Sequence, residues 1–164
     1  MAALKIFAAC SLAIVAAGLL YGYGTSKSAG DADTSQLQQE VRFGDYDLAL
    51  EARDGKCTLA YRSDTQDGIL PLLIDEPCRF IRPEGGNIQV YREDDIEVFA
   101  VVGGPQEENV LGLVATERFD CGAQLAGVIF SEDAFRLAKY QPGSGRFCAL
   151  LKMEQRDFWL LLNG

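Results

Sequence analysis

The chain has 164 residues, with 24 acidic side chains against 15 basic ones, no histidine and a net charge of −9. Such a surface repels nucleic-acid phosphate and anionic lipid head groups. Without histidine there is no Ser–His or Cys–His nucleophile pair, and the usual ligand of a catalytic zinc is missing.

Residues 1–24 read as an export segment. Lys5 is the only charge among the first 26 residues, and the 15 residues from Ile6 to Leu20 are apolar apart from Ser11. That length suits a signal-peptide core and is short of the about 20 residues a membrane helix needs. Ser28-Ala29-Gly30 and Gly22-Tyr23-Gly24 place small side chains where a signal peptidase wants them, whereas Tyr21 and Tyr23 suit the head-group layer beside an uncleaved anchor. Both readings, signal peptide or signal anchor, put the rest of the chain outside the cytoplasm. It would be periplasmic or secreted in one case and held to the inner membrane in the other. Cys10 is read as a small apolar residue of this segment, because a lipoprotein-type cut before it would leave Ser11 to Leu20 as a greasy mature terminus.

Residues 25–39 are Ser, Gly, Asp and Gln around a single large apolar residue, Leu37, and read as a flexible polar linker. Asp31, Asp33 and Ser35 open like a calcium loop, but Gln36 and Arg42 stand where glycine and glutamate are required.

Residues 40–164 read as one acidic, disulfide-bonded β domain. From residue 31 onward 24 acids meet 13 bases, a net charge of −11. Leu48, Leu50 and Ala52 alternate at period two, Asp54-Gly55 follows, and Cys57, Leu59 and Tyr61 alternate again. This is the strongest short hairpin signal. Cys78 and Phe80, the turn Pro83 to Gly86, then Ile88 and Val90 suggest a second hairpin. Ile96, Val98, Ala100 and Val102 follow, and further short apolar runs span Val110 to Thr116, Gln124 to Phe130, Ala134 to Lys139 and Arg146 to Leu151. Asp45, Asp47 and Glu93-Asp94-Asp95 read as turn formers rather than calcium ligands. The tail Phe158 to Leu162 suits a buried strand or the end of a helix. Short strands at this spacing predict a mainly β fold, an antiparallel sandwich or barrel.

Cys57, Cys78, Cys121 and Cys148 are even in number and read as two disulfides, with sequential pairing closing the shortest loops. Zinc wants close Cys-x-x-Cys pairs, and here 20 and 26 residues intervene. No metal and no cofactor is expected.

Catalytic patterns do not assemble. Ser144 lies in Pro-Gly-Ser-Gly between strands, not on a strand-to-helix elbow, and nothing singles out one carboxylate pair for glycoside hydrolysis. Two binding candidates remain. Ser144-Gly145-Arg146 combines bare backbone with a guanidinium fork, and Trp159, the only tryptophan, is either a core residue or an interface anchor. Ser144-Gly145-Arg146-Phe147 followed by Phe158-Trp159 resembles the Ser-Gly-x-Arg-Tyr loop and later Phe-Trp of exported bacterial inhibitors of lysozyme. The loop here is one residue shorter and ends in Phe, and Leu160 stands where those proteins continue Lys-Gly. The resemblance implies a small disulfide-bearing β-barrel that blocks a basic hydrolase.

The expected protein is thus an exported cell-envelope binding domain without catalytic activity, an inhibitor or immunity protein for a basic envelope enzyme. The partner is a protein, not nucleic acid, with membrane contact only through an uncleaved N-terminal segment. The alternative is a membrane-anchored structural or assembly component of the envelope.

Overall fold

The computed structural model describes residues 39–105 and 119–164. The export segment, nearly all of the linker, the calcium-like stretch Asp31 to Ser35 and the run Val110 to Thr116 lie outside them. The described part is mainly antiparallel sheet. A first sheet is a meander of β1 (Glu40–Phe43), β2 (Tyr46–Arg53), β3 (Lys56–Arg62) and β4 (Asp67–Asp75). A second comprises β5 (Arg79–Phe80), β6 (Val90–Glu93), β7 (Ile96–Gly103), β9 (Gln124–Ser131) and β10 (Ala134–Leu137). β8 (Cys121–Gly122), between β7 and β9 in sequence, pairs with β11 (Phe147–Cys148), which follows β10, and helix α1 (Gln155–Asn163) comes last.

The Asp54-Gly55 hairpin forms as the sequence predicts. Both residues have positive φ, 51° and 76°, as a two-residue turn matched to strand twist requires. The expected hairpin around Pro83 to Gly86 does not form. β5 and β6 both pair with β7, Arg79 opposite Val102 and Val90 opposite Phe99, so they follow one another along one edge. The real hairpin is β6–β7, closed at Asp94-Asp95. Of Arg146 to Leu151 only Phe147 and Cys148 join a ladder, and the segment before them connects β10 to β11 rather than closing a hairpin.

The two sheets pack face to face. Leu48, Leu50, Leu59, Leu72 and Ile74 from the first meet Phe80, Phe99, Val101, Ala126 and Val128 from the second. The other face of the second sheet is also covered: Val98, Ala100, Val102, Leu125 and Ile129 are buried with Phe158 and Leu161 of α1. β7 is therefore buried on both faces, which explains its unbroken apolar run Val98 to Val102. The tail is thus a helix. Glu154 and Asp157 form a reciprocal capping box at its start, and Tyr91 stacks on Phe158 at 6.0 Å.

Both disulfides form with sequential pairing, Cys57–Cys78 and Cys121–Cys148, which is consistent with an extracytoplasmic compartment. They lie at one end of the sandwich, where backbones crowd. A Cβ on Gly122 would sit 2.5 Å from the Gly103 carbonyl oxygen. Asp75, at the end of β4, is fixed there. Its carbonyl accepts from the Gly104 N–H at 2.6 Å, its carboxylate takes Lys56 Nζ at 2.5 Å and Gln124 Nε2 at 2.9 Å, and its N–H donates to Gln124 Oε1 at 2.6 Å. Arg79 and Asp120 form a partly buried ion pair beside them. Among the described residues no helix is long and apolar enough to cross a membrane.

Candidate functional site

The residues singled out from sequence sit on separate elements. Ser144, Gly145 and Arg146 are exposed in the β10–β11 connection. The Gly145 N–H donates to the Ala123 carbonyl at 3.0 Å, so the loop is pinned beside the start of β9, at the disulfide end. A Cβ on Gly145 would lie 2.9 Å from the far edge of the Phe147 ring, which would have to shift, and neither Gly143 nor Gly145 has positive φ. Trp159 is 49% exposed on α1 while its neighbours Phe158 and Leu161 are buried, so it is a surface residue and not a core one. Between the start of α1 and β6 lies a groove of about 630 Å³, whose apolar lining includes Val90, Tyr91, Met153 and Phe158. Gln89 holds Met153 there with two hydrogen bonds, from Nε2 to the carbonyl at 2.9 Å and from the Met153 N–H to Oε1 at 2.8 Å.

A second feature emerges from topology. In a meander, alternate turns fall at the same end. The β1–β2 turn Gly44-Asp45 and the β3–β4 turn Ser63 to Gln66 therefore share one end of the first sheet, and Tyr46 Oη donates to Gln66 Oε1 across them at 3.1 Å. β7 and β9 are antiparallel with Glu97 opposite Phe130, so the β6–β7 turn Asp94-Asp95 and the β9–β10 turn Glu132-Asp133 share one end of the second sheet. Ring contacts show these are the same end of the sandwich. Phe43 and Tyr46 flank the first turn, Phe130 and Phe135 flank the last, and Phe43–Phe130 and Tyr46–Phe135 centroids lie 5.4 and 5.0 Å apart.

Asp45, Asp64, Asp94, Asp95, Glu132 and Asp133 thus gather as exposed residues of four turns that contain no Lys or Arg. Part of the reason is local. Asp94, Glu132 and Asp133 hold φ of 51°, 52° and 57°, and aspartate tolerates that left-handed region where most residues do not. The result is a net negative end, opposite the disulfides and floored by packed aromatic rings, with Arg42, Arg62 and Arg92 at its margin and Arg42 drawn to Asp47, Asp45 and Asp64. Among the described residues no three acidic or cysteine side chains converge as a metal cage. What this end can do is attract and orient a cation-rich surface. Sequence reading identified Asp45 and Asp94-Asp95 as turn formers but missed their gathering with Asp64, Glu132 and Asp133. Counting alternate hairpin turns was the available signal.

Comparison with protein-family models, with curated proteins and with solved structures finds no match.

Proposed function

We propose that this protein is an extracytoplasmic binding domain without catalytic activity. It engages a basic protein of the cell envelope as an inhibitor or immunity protein for a cationic enzyme, and it acts in the periplasm or after secretion. The observation that carries this reading is the acidic end, six turn carboxylates over packed aromatic rings, in a chain whose residues 31–164 carry a net charge of −11. Charge placed on one end steers a cationic partner into one orientation, and it acts on the association rate before any contact forms. The disulfides support the compartment.

The test is direct binding of the purified full-length protein to a panel of cationic peptidoglycan hydrolases, lysozyme among them, at low and high salt. Association should be fast at low ionic strength and slow by at least tenfold at high salt, because screening removes the field beyond about 3 Å at 1 M. Absence of binding to every member at low salt would sink the reading and leave the membrane-anchored structural component in its place.

A further inference from the structure

Electrostatic steering brings a partner in but does not hold it. Stable interfaces need apolar anchors that become fully desolvated. Large apolar side chains are exposed at five described positions: Ile69, Leu73, Tyr140, Leu151 and Trp159. Ile69 and Leu73 lie on β4, which leads directly out of the acidic end through Asp64 and Asp67.

β4 is an edge strand. Leu70, Leu72 and Ile74 turn into the core, which leaves Ile69, Pro71 and Leu73 facing outward. Ile69 is 48% exposed and Leu73 is 70% exposed. Leu73 also stands at φ 61°, where leucine is an outlier and glycine or asparagine would be at ease. It occupies a bulge: Thr58 pairs with Pro71 but Lys56 pairs with Asp75, so β4 carries two more residues than β3 over this stretch. A strained backbone that presents a leucine to water gains nothing within the fold, and such outliers concentrate where a protein binds. Strand addition is not the use this edge is built for. Pro71 has no N–H to offer and the bulge breaks the ladder, two devices that block edge pairing. Recognition here is through side chains.

We infer that the outward stripe Ile69–Pro71–Leu73 of β4 is the apolar anchor of the interface that the acidic end steers, and that its occupant is a basic protein presenting an apolar pocket rimmed by Lys or Arg. The inference rests on the function proposed above. Negative charge continues from the acidic end along this face. An open trough of about 890 Å³ over the same sheet face includes Glu40, Asp47, Glu51 and Asp67 in its lining against Arg53 and Arg62; Glu51 engages Arg53 at 2.7 Å and Asp47 engages Arg42 at 2.8 Å, which leaves Glu40 and Asp67 as the carboxylates that meet a partner. A second copy would bring together two domains whose residues 40–164 each carry 22 acids against 13 bases, a charge of −9, and an anionic membrane would repel the same face.

The experiment measures binding kinetics of the full-length protein with lysozyme as the probe, and with the other cationic hydrolases of the panel in parallel. The variants are Leu73→Asn, Ile69→Ser and a paired Asp64→Asn/Asp133→Asn. Asparagine is chosen at 73 because it tolerates the left-handed backbone. Leu73→Asn and Ile69→Ser should each raise the dissociation rate at least tenfold and leave the association rate and its salt dependence unchanged. The paired acid variant should slow association and leave dissociation unchanged. If the acid variant weakens binding while both stripe variants match the parent, the anchor is overturned and the proposed function stands. If the parent binds no panel member, both fall. If the parent sediments as a dimer that Leu73→Asn dissociates, the stripe is a self-interface and the inference is overturned.

Discussion

Adjacent leucines on β4 should respond to mutation in opposite ways. Leu72 is fully buried and Leu73 is 70% exposed at φ 61°. Truncating Leu72 to alanine removes core contacts and leaves a cavity, a loss of about 2–5 kcal/mol. For Leu73 the balance differs. Complete burial of a leucine is worth about 1.5–3 kcal/mol, so the roughly one-third that is buried contributes under about 1 kcal/mol. Against that, a side chain in the left-handed region costs about 1–2 kcal/mol, and asparagine relieves most of it. Leu73→Asn should therefore be neutral or stabilising by up to about 1 kcal/mol, a midpoint rise of no more than about 5 °C for a domain of this size. The assay is guanidinium unfolding with disulfides intact, followed by circular dichroism and by the fluorescence of Trp159, the single tryptophan. A loss of 1 kcal/mol or more in Leu73→Asn would refute the reasoning, because Leu73 would then be packed and its backbone unstrained. Stability gained where binding is lost would mark the position as one kept for function.

Two further outcomes follow from the staples and from Asp75. Removing either disulfide by paired Cys→Ser substitution frees loops of sequence separation 21 and 27, which lowers unfolding free energy by about 3.5 kcal/mol each in the chain-entropy account, measured by denaturant titration; thiol labelling of the denatured, unreduced parent should find no free cysteine among the four. Asp75 is held below the ordinary carboxylate range by its hydrogen bond from Lys56 and then by that from Gln124, so the stability it contributes is present above the unfolded carboxylate pKa of about 4 and disappears as pH falls through the lower folded value. Asp75→Asn should accordingly flatten the acid limb of a stability-versus-pH curve, and an unchanged limb would show the network to be without thermodynamic effect.

The parts of the fold that were legible in sequence are those fixed by neighbours in the chain. Asp54-Gly55 dictates its hairpin because both positions need positive φ, and the period-two runs from Leu48 to Tyr61 fix which side faces the core. The disulfide pairing followed from loop length and separate chain regions. What escaped depends on distant contacts. β5 and β6 do not pair with each other because both take β7 as their partner. The tail became a helix because Glu154 and Asp157 cap it and because the second sheet needed a cover, neither of which the apolar run Phe158 to Leu162 records. Trp159 faces out because helical spacing turns it away from Phe158 and Leu161. The Ser144 to Arg146 loop is exposed, and it sits at the opposite end from the carboxylates, a separation that no local feature of the chain records.

The acidic end owes its character to which connections are short. At the disulfide end the chain crosses between sheets, and among the described residues only Asp54-Gly55 closes a hairpin there. At the other end the four described connections are hairpin turns, three of two residues and one of four. The longer turn is itself fastened: the Ser63 N–H donates to the Gln66 carbonyl at 2.7 Å, and Ser63 Oγ accepts from the Gln66 N–H at 3.1 Å. Tight turns leave little backbone freedom to lose, so carboxylates placed on them meet a partner without an ordering cost on the backbone. The residues that make such turns possible are also the ones that carry negative charge, since aspartate serves both needs. Selection for compact hairpins and selection for an acidic face therefore act on the same positions. Asp94→Gly separates them: it keeps the left-handed backbone and removes the charge. That substitution should leave unfolding unchanged within about 1 kcal/mol, while it slows association with a cationic hydrolase at low salt and not at high salt. Equal slowing at both salts would show that Asp94 acts through contact, and the steering role of this end would be lost.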